Sequence, residues 1–591
     1  MPRLTNKQHR RTRRGALLVA AGAAAAMALA TQPAQATTTT WVGTATRAPK
    51  LSGASLLGAT PGSTPLHIAV SLPTRDKAGE QAALKAMYTR GSATFHHFLS
   101  PQEWVAAYGP TTGEVSAVED YLTSQGFTGV HAQADRLVVT ANGTAADAAK
   151  AFHTTLVNYA LGGRTVFANT SAAKVPSSLA GSVLGVIGLN DVPMKAPHPK
   201  KPNPQHSDPG QTQPTTGSAT LFNILPPKDF QNTYDAAGTP TGSATSIALF
   251  TEGDLTQVYQ DLKTAETAYG LPAVPVTQVN VGPQSTDTAG LDEWDMDTQV
   301  STAMAGTVRH LYLYNAGSLT DASIVPTFAK FVSDNLAQAM SASIGGCDIG
   351  PFLDGSLVTT DEIEEEGAMQ GQTLFASSGD NGAGCMYGAA VGAPTAPTGT
   401  NWPASGEFTT AVGGTSLVTD ANGNRVQELG WVGSGGGISE VENPGWWTQA
   451  TDPNYDDQYV SGGRAVPDIA LDADPNVSTA AAVYVNGAVE GVGGTSLSSP
   501  LMLGAWARME SAHANGLGLA SMDLYPLYDA VNPGTPVPGG LEVVPNADPQ
   551  PVPGFTDITL GDNGPYPCLP GYDLVTGLGA PDIAALSRAL G

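Results

Sequence analysis

The spacing of apolar and polar positions changes three times along this 591-residue chain, and each change marks a boundary. Residues 16–30 form one apolar run. From about 60 to 190, short alternating runs are mixed with helical spacing. Residues 66–72 predict a strand, 80–90, 100–108 and 113–125 predict helices, and 129–134 with 136–140 predict a hairpin; 145–153 predict a helix, and 155–168 strands about Gly162-Gly163. Elements interleaved in this order predict a split βαβ, ferredoxin-like α/β layer. From 219 the runs lengthen. Residues 246–251 and 309–314 are near-continuous apolar stretches, the pattern of parallel strands buried on both faces. Shorter strands are predicted at 340–344, 373–378 and 409–412, with helices over 326–340 and 360–371 between them. This alternation predicts a doubly wound α/β domain around a parallel sheet, whose sites lie beyond the carboxyl ends of the strands. Residues 195–218 interrupt the two patterns with polar, proline-rich sequence, which cannot pack and stays extended. The expected organisation is a leader over 1–36, a small α/β domain over 37–194, a linker over 195–218 and the large α/β domain over 219–591.

The leader has the parts of a secretory signal: Arg10, Arg11, Arg13 and Arg14, then the apolar run, then Ala34-Gln-Ala36 as a small-residue cleavage site. The run is too short to cross a bilayer and no later stretch is long enough, so the sequence predicts an exported protein with no membrane partner. Charge adds to the picture of the large domain. Only 8 of the 27 Lys and Arg lie beyond residue 218, against 42 of the 52 Asp and Glu. Such a surface repels nucleic acid. It suits acid, where neutralised carboxylates leave few like charges to repel one another, and it equally suits simple solubility. Three cysteines, Cys347, Cys385 and Cys568, are too few for a disulfide scaffold, so a large core must hold the fold.

Candidate chemistry gathers at Gly491-Val-Gly-Gly-Thr-Ser-Leu-Ser-Ser-Pro500, where Ser496 sits on a glycine-rich turn ahead of an apolar helical run from Leu501. Pro500 falls in the opening turn, where proline is tolerated, and a helix N-terminus lowers the cost of negative charge beside the serine. Ala411-Val-Gly-Gly-Thr-Ser-Leu417 repeats the same residues without the proline or the helical run, so Ser416 is read as structural and Ser496 as reactive. Histidine is the usual base for a serine, yet only His310 and His513 lie beyond residue 218. One is inside an apolar strand and the other far along the helix, so a histidine triad is not expected. Gly290-Leu-Asp-Glu-Trp-Asp-Met-Asp-Thr-Gln299 offers carboxylates instead, with Glu293 and Asp297 on one helix face. Two close carboxylates share a proton because both cannot cheaply ionise; the same run also reads as an acidic first turn that complements a helix dipole. Ala376-Ser-Ser-Gly-Asp-Asn-Gly382 places Asp380 on a turn after an apolar strand, either as an Asx turn or as a protonated donor to a developing oxyanion.

Glu293-x-x-x-Asp297, Ser-Gly-Asp380 and Gly-Thr-Ser496-x-x-x-Pro500 occur in the order and approximate spacing of the sedolisin (serine-carboxyl peptidase) family, which the chain resembles over nearly its whole length. Further matches are Ser341-x-Ser-x-Gly345, Ser434-Gly-Gly-Gly-Ile-Ser439, Pro444-Gly-Trp-Trp447 and Val466-Pro-Asp-Ile-Ala470; Phe95-His-His-Phe-Leu-Ser-Pro-Gln-Glu-Trp104 resembles the activation-domain motif of the family's precursors. The resemblance implies a subtilisin-like catalytic domain, with Ser496 as nucleophile, Glu293 as base then acid, Asp297 as its orienting partner and Asp380 as oxyanion donor. Ser343, Ile344 and Gly345 would line the substrate cleft, with Ile344 standing where family members commonly carry Trp. Residues 37–194 would be a propeptide removed within the linker. Asp557-Ile-Thr-Leu-Gly-Asp-Asn-Gly564 and Leu569-Pro-Gly-Tyr-Asp573 resemble the family's C-terminal calcium loop. There the carboxylates of Asp557 and Asp573 and the carbonyls of Ile558, Leu569 and Gly571 would hold one Ca2+; an unliganded acidic turn is the other reading. Cys347 and Cys385 follow Gly345-Gly346 and Asp380, which adjacent parallel strands would bring to one sheet edge, so a disulfide is expected there with Cys568 free. The expectation is a secreted, monomeric, acid-acting endopeptidase made as an autoprocessed zymogen, with protein or peptide substrates and its own propeptide as partners. The alternatives are a catalytically silent binding protein on the same fold and a His-dependent subtilisin-type protease.

Overall fold

The computed structural model describes residues 40–194, 198–202, 223–385, 398–420, 422–448, 463–476, 479–536, 543, 544, 546 and 548–591. The expected leader and the linker other than 198–202 lie outside the described residues. Trp41–Gly591 forms one unit and Met1–Thr40 another, in which Thr40 alone is described.

In the N-terminal region the alternating pattern becomes strand β1 (Pro65–Ser71), helices α1 (Lys77–Tyr88), α2 (Pro101–Ala107) and α3 (Thr112–Gln125), strands β2 (Thr128–Ala132) and β3 (Val138–Thr144), helix α4 (Ala145–Ala151) and strand β4 (Gly185–Ile187). The sheet order is β2–β3–β1–β4 and every pair is antiparallel, the expected ferredoxin-like layer. Three of the helices begin where the sequence caps them. Ser100, Thr111 and Thr144 each accept from the amide three residues on, and Glu103, Glu114 and Asp147 reach back to the cap amide. The strand period of two divides side chains between two cores. Ile68, Val70 and Val139 pack with Val118, Leu122, Phe127 and Phe152. Ala69 and Val138, one residue out of step, join Met87, Tyr88 and Trp104 in the core of the large domain.

That large domain is built from β5 (Gly242–Glu252), β6 (Val276–Val281), α5 (Leu291–Ala305), β7 (Val308–Ala316), α6 (Asp321–Asp334), β8 (Ala339–Ala342), α7 (Ser356–Met369), β9 (Thr373–Ser377), β10 (Thr409–Thr419), β11 (Arg425–Gly430), β12 (Ile469–Asp472), β13 (Ala488–Val492) and α8 (Thr495–Ala512). Its main sheet runs β6–β7–β5–β8–β9–β10–β11, with β12 also on β10, and only β11 is antiparallel. The chain leaves β5, fills one side with β6 and β7, then crosses to β8 on the other, which makes the gap beyond β5 and β8 a switch point where doubly wound folds place ligands. Of the boundaries that differ from expectation, those of two helices matter for the site. Helix α6 starts earlier and ends at Asn335 in the left-handed conformation (φ 46), which frees Met340 for β8. Helix α8 opens at Thr495, so Ser496 lies inside its first turn instead of ahead of it.

The N-terminal region docks on α7 through polar as well as apolar contacts. Lys77 lies 2.9 Å from Glu362 and also pairs with Glu365. Trp104 donates from its ring nitrogen to Glu80 (2.9 Å), and the Tyr88 hydroxyl donates to the Ala368 carbonyl (2.8 Å).

Candidate active site

Helices α5 and α8 lie side by side, and Gly504 determines how closely. A Cβ there would stand 2.4 Å from the Ser301 carbonyl oxygen and 2.7 Å from Met304 Cβ. Glycine inside a helix costs about 1 kcal/mol relative to alanine; the close crossing it permits sets Glu293 and Asp297 of α5 level with Ser496 of α8. Asp292 and Glu293 fall in the first turn of α5, where the helix dipole favours negative charge. Glu293 and Asp297 are nevertheless fully buried. Burial pushes the Glu293 carboxyl well up, the charges on Asp297, Asp380 and Asp292 add to the push, and the Ser496 hydroxyl pulls it down. Neither Glu293 oxygen has an aligned hydrogen-bond donor among the described residues, so the Ser496 hydroxyl stands near the carboxyl without a well-formed hydrogen bond. Burial likewise pushes Asp297 well up, opposed by the Ser343 hydroxyl, which donates to Asp297 Oδ1 at 2.9 Å.

Ser496 follows Gly494, whose φ of +103 turns the chain out of β13 into α8. A side chain at Gly494 would also collide with Asp380 Oδ2, 2.8 Å from where its Cβ would be. Asp380 stands on the turn after β9. Its Oδ1 accepts from the Thr495 amide (2.7 Å) and the Thr495 hydroxyl (2.9 Å), so both donors go to one oxygen. Thr495 in turn accepts from the Gly379 amide at 3.1 Å, which ties the turn to the helix. The side chains of Ser496, Glu293, Asp297, Asp380 and Ser343 thus converge at the carboxyl ends of β8 and β9.

The remaining expected residues divide. Ile344 is 2% exposed and packs in the core, whereas Gly345 is half-buried and, with Cys347 and Met194, lines a groove between the two regions. Cys347 and Cys385 are joined in a disulfide and Cys568 is a buried free thiol. His310 pairs with Thr277 on β6, and His513 with the Ser587 carbonyl beyond the end of α8, so neither stands beside Ser496. At the C-terminal loop, Asp557 accepts from the Gly571 amide (3.1 Å) and Asp573 from the Leu569 amide (3.1 Å). Burial raises Asp557 and pushes Asp573 up to about 7. Among the described residues, no group of three or more His, Cys, Asp or Glu side chains is placed to hold a metal. Sequence reasoning missed three residues at the site. Thr495 orients Asp380, and Asp292 and Glu490 meet residues of the linker; the alternation of acids in Asp292-Glu-Trp-Asp-Met-Asp297 was the available signal for Asp292.

Comparison with known proteins follows the same division. The family described as the pro-kumamolisin activation domain matches residues 52–192. Sedolisin of Pseudomonas sp. (strain 101) is 33% identical over 559 residues, covering 91% of this chain and 89% of the relative. The chain belongs to the sedolisin family. Xanthomonalisin of Xanthomonas sp. (strain T-22) is 31% identical over 593 residues, covering 92% of this chain and 67% of the relative. Among solved structures, Pseudomonas sedolisin, a serine-carboxyl proteinase complexed with two molecules of pseudo-iodotyrostatin, superposes with a TM-score of 0.53 at 31% identity, over 63% of this chain and 98% of that one. The chain is therefore a serine-carboxyl peptidase on a subtilisin-like fold, preceded by an activation domain and made as a zymogen.

Proposed function

We propose that this peptidase is an exported endopeptidase that acts in acid and removes its own propeptide, with Ser496 as nucleophile, Glu293 and Asp297 as a proton-sharing pair and Asp380 as oxyanion donor. The observation that carries the reading is the Ser496 hydroxyl near a fully buried Glu293, with no histidine of the C-terminal region beside it. As Ser496 Oγ attacks a peptide carbonyl carbon, its proton passes to Glu293, and the charge forming on the carbonyl oxygen is met by a proton held on Asp380. Glu293 then returns its proton to the departing amine nitrogen, leaving an acyl group on Ser496, and water repeats the steps in the opposite sense. Asp297 holds Glu293 in the singly ionised pair, and Ser343 fixes Asp297. The chemistry needs one proton shared within the carboxylate pair and one on the oxyanion donor, so hydrolysis is expected to follow a bell-shaped pH profile confined to acid.

The buried carboxyls support acid action through stability as well. Burial pushes Glu510 up to about 8, Asp295 to about 9, Glu442 to about 8 and Glu407 to about 7. Each of these carboxyls holds its proton more tightly folded than unfolded. Their contribution is therefore complete below the ordinary carboxylate range and is lost as pH rises from there through the folded values. The proposed boundaries are a signal over 1–36, a propeptide over 37–194, a processing linker over 195–218 and the catalytic domain from 219. Export rests on the leader sequence; among the described residues no helix is long and apolar enough to cross a membrane. Calcium is assigned to the C-terminal loop on the family resemblance, with Asp557 and Asp573 both lying against Leu569–Gly571, whose carbonyls would complete an oxygen set. An ion there would tie the loop to the folded state, so chelation at about pH 6, above the ordinary carboxylate range, is expected to lower the melting temperature; an unchanged one removes calcium from the account. The direct test of function is purified precursor incubated at graded pH with a protein substrate. Wild type is expected to shorten and become proteolytic in acid, and Ser496→Ala to stay full length; maturation of Ser496→Ala with no other protease present contradicts self-processing.

A further inference from the structure

Residues 198–202 of the linker lie along the mouth of the catalytic site. The Lys200 amide donates to the Gly493 carbonyl (3.0 Å) and the Gly493 amide donates back to the Lys200 carbonyl (2.8 Å), an antiparallel bridge three residues before Ser496. Pro202 follows the same edge, 3.2 Å from where a Cβ on Gly491 would stand. A main-chain pair of this kind accepts any extended peptide, and selectivity comes from the side chains flanking it. Here the flanking side chains meet carboxylates. Lys201 Nζ is 2.6 Å from Glu490 Oε2 and 3.9 Å from Asp292 Oδ2, and His198 Nδ1 is 3.0 Å from Asp292 Oδ1.

Both carboxylates stand on elements that carry the catalytic residues. Asp292 adjoins Glu293 in α5, and Glu490 lies in β13, six residues before Ser496. Their side chains are 18% and 35% exposed, accessible from the cleft. Among the described residues, every cationic side chain paired with either of them belongs to the linker. Beyond residue 218 there are 8 Lys and Arg against 42 Asp and Glu, so the catalytic region is poor in cations of its own to replace them.

We propose that Asp292 and Glu490 form a cation-selecting subsite of the mature cleft, which takes a lysine or arginine of a protein substrate immediately after the residue that pairs with Gly493. The linker is then a tethered occupant of that subsite. This deepens the peptidase reading given above and rests on it. The experiment uses mature enzyme and a peptide library randomised one position at a time, digested at about pH 5, above the ordinary range of aspartate and glutamate, with products identified by mass spectrometry. Wild type is expected to enrich Lys and Arg at one fixed position relative to the cleaved bond. For peptides differing only by lysine or uncharged norleucine there, the ratio of kcat/KM is expected to favour lysine by about fivefold, the size of a well-formed but solvent-screened ion pair. Glu490→Gln should bring that ratio towards one and Glu490→Lys should invert it; being a ratio, it cancels any loss of folded enzyme. Cleavage by wild type without a basic preference at any position, or a lysine preference that survives Glu490→Gln, overturns the subsite and leaves the peptidase standing. Absence of cleavage of every library member by wild type overturns both.

Discussion

The sequence Val-Gly-Gly-Thr-Ser-Leu occurs twice, at 412–417 and 492–497, and the two copies lie against a single residue. The Ala473 amide donates to the Thr415 carbonyl (2.9 Å), and the Ala473 carbonyl accepts from the Gly494 amide (2.6 Å). Each serine also faces a buried carboxyl: Ser416 donates to Asp474 Oδ2 at 2.7 Å, and Ser496 lies near Glu293. The copies differ in what surrounds the glycines. Val412 to Thr415 are paired with Ile469 to Asp472 of β12, and Val412 also with Ser377 of β9, so no backbone edge is left for a peptide. Gly493 instead offers its edge to the linker, and Gly494 bends the chain into a helix whose N-terminus lies beside Asp380. On the proposed mechanism a serine near a carboxylate is therefore not sufficient for peptidase chemistry, and an open backbone edge and a proton donor for the oxyanion are needed as well.

Exchanging the two serines for alanine is the strongest way to break this comparison. Ser496→Ala should lower kcat by more than about a thousandfold, the scale at which removing a nucleophile acts. Ser416→Ala should leave kcat within about twofold and cost about 1–3 kcal/mol of stability, because it removes a hydroxyl that donates to a buried carboxyl. Equal losses of activity in the two variants would mean that the repeats are not divided as described. Asp380→Ala should follow, with kcat of the folded enzyme lower by about a hundredfold or more, as for loss of an oxyanion donor, and a lower melting temperature because the buried Thr495 amide and hydroxyl lose their acceptor; near-normal kcat assigns that donor elsewhere.

Much of this division was legible in the sequence. Pro500 and the apolar run after it separated Ser496 from Ser416, and the scarcity of histidines pointed to Glu293 and Asp297. The ferredoxin-like layer was equally legible because its strands alternate with a period of two. Two things were hidden for physical reasons. Helix α8 begins at Thr495 because Gly494 supplies the left-handed turn, and a glycine's φ is not written in its neighbours. Asp292 and Glu490 are distant in sequence and act together only because β13 and α5 meet at the linker. The helix start at Asp321 was also missed, since proline is favoured in a first turn and Pro326 instead stands inside the helix.

Smaller effects sharpen the account. Ser343→Ala removes the hydrogen bond that pulls Asp297 down, so the pair should take up its second proton at higher pH. The acid limb of the kcat/KM profile should move upward in pH, with about a tenfold loss at the optimum; a limb that stays in place separates Ser343 from the pair. The melting temperature of wild type should be highest in acid and decline steadily between about pH 5 and 8, as the buried carboxyls pushed up by the fold begin to lose their protons. A protein most stable at neutral pH would contradict that sign.

The central claim is that Ser496 carries the acyl group and that Glu293 activates it. The most direct measurement is mass mapping of mature enzyme acid-quenched during turnover of a reactive ester, comparing wild type with Glu293→Gln. The account predicts an acyl group on the peptide containing Ser496 in wild type, none on the peptide containing Ser416, and acylation slower by about a hundredfold or more in Glu293→Gln. Acylation at another residue, or an undiminished rate in Glu293→Gln, would contradict it.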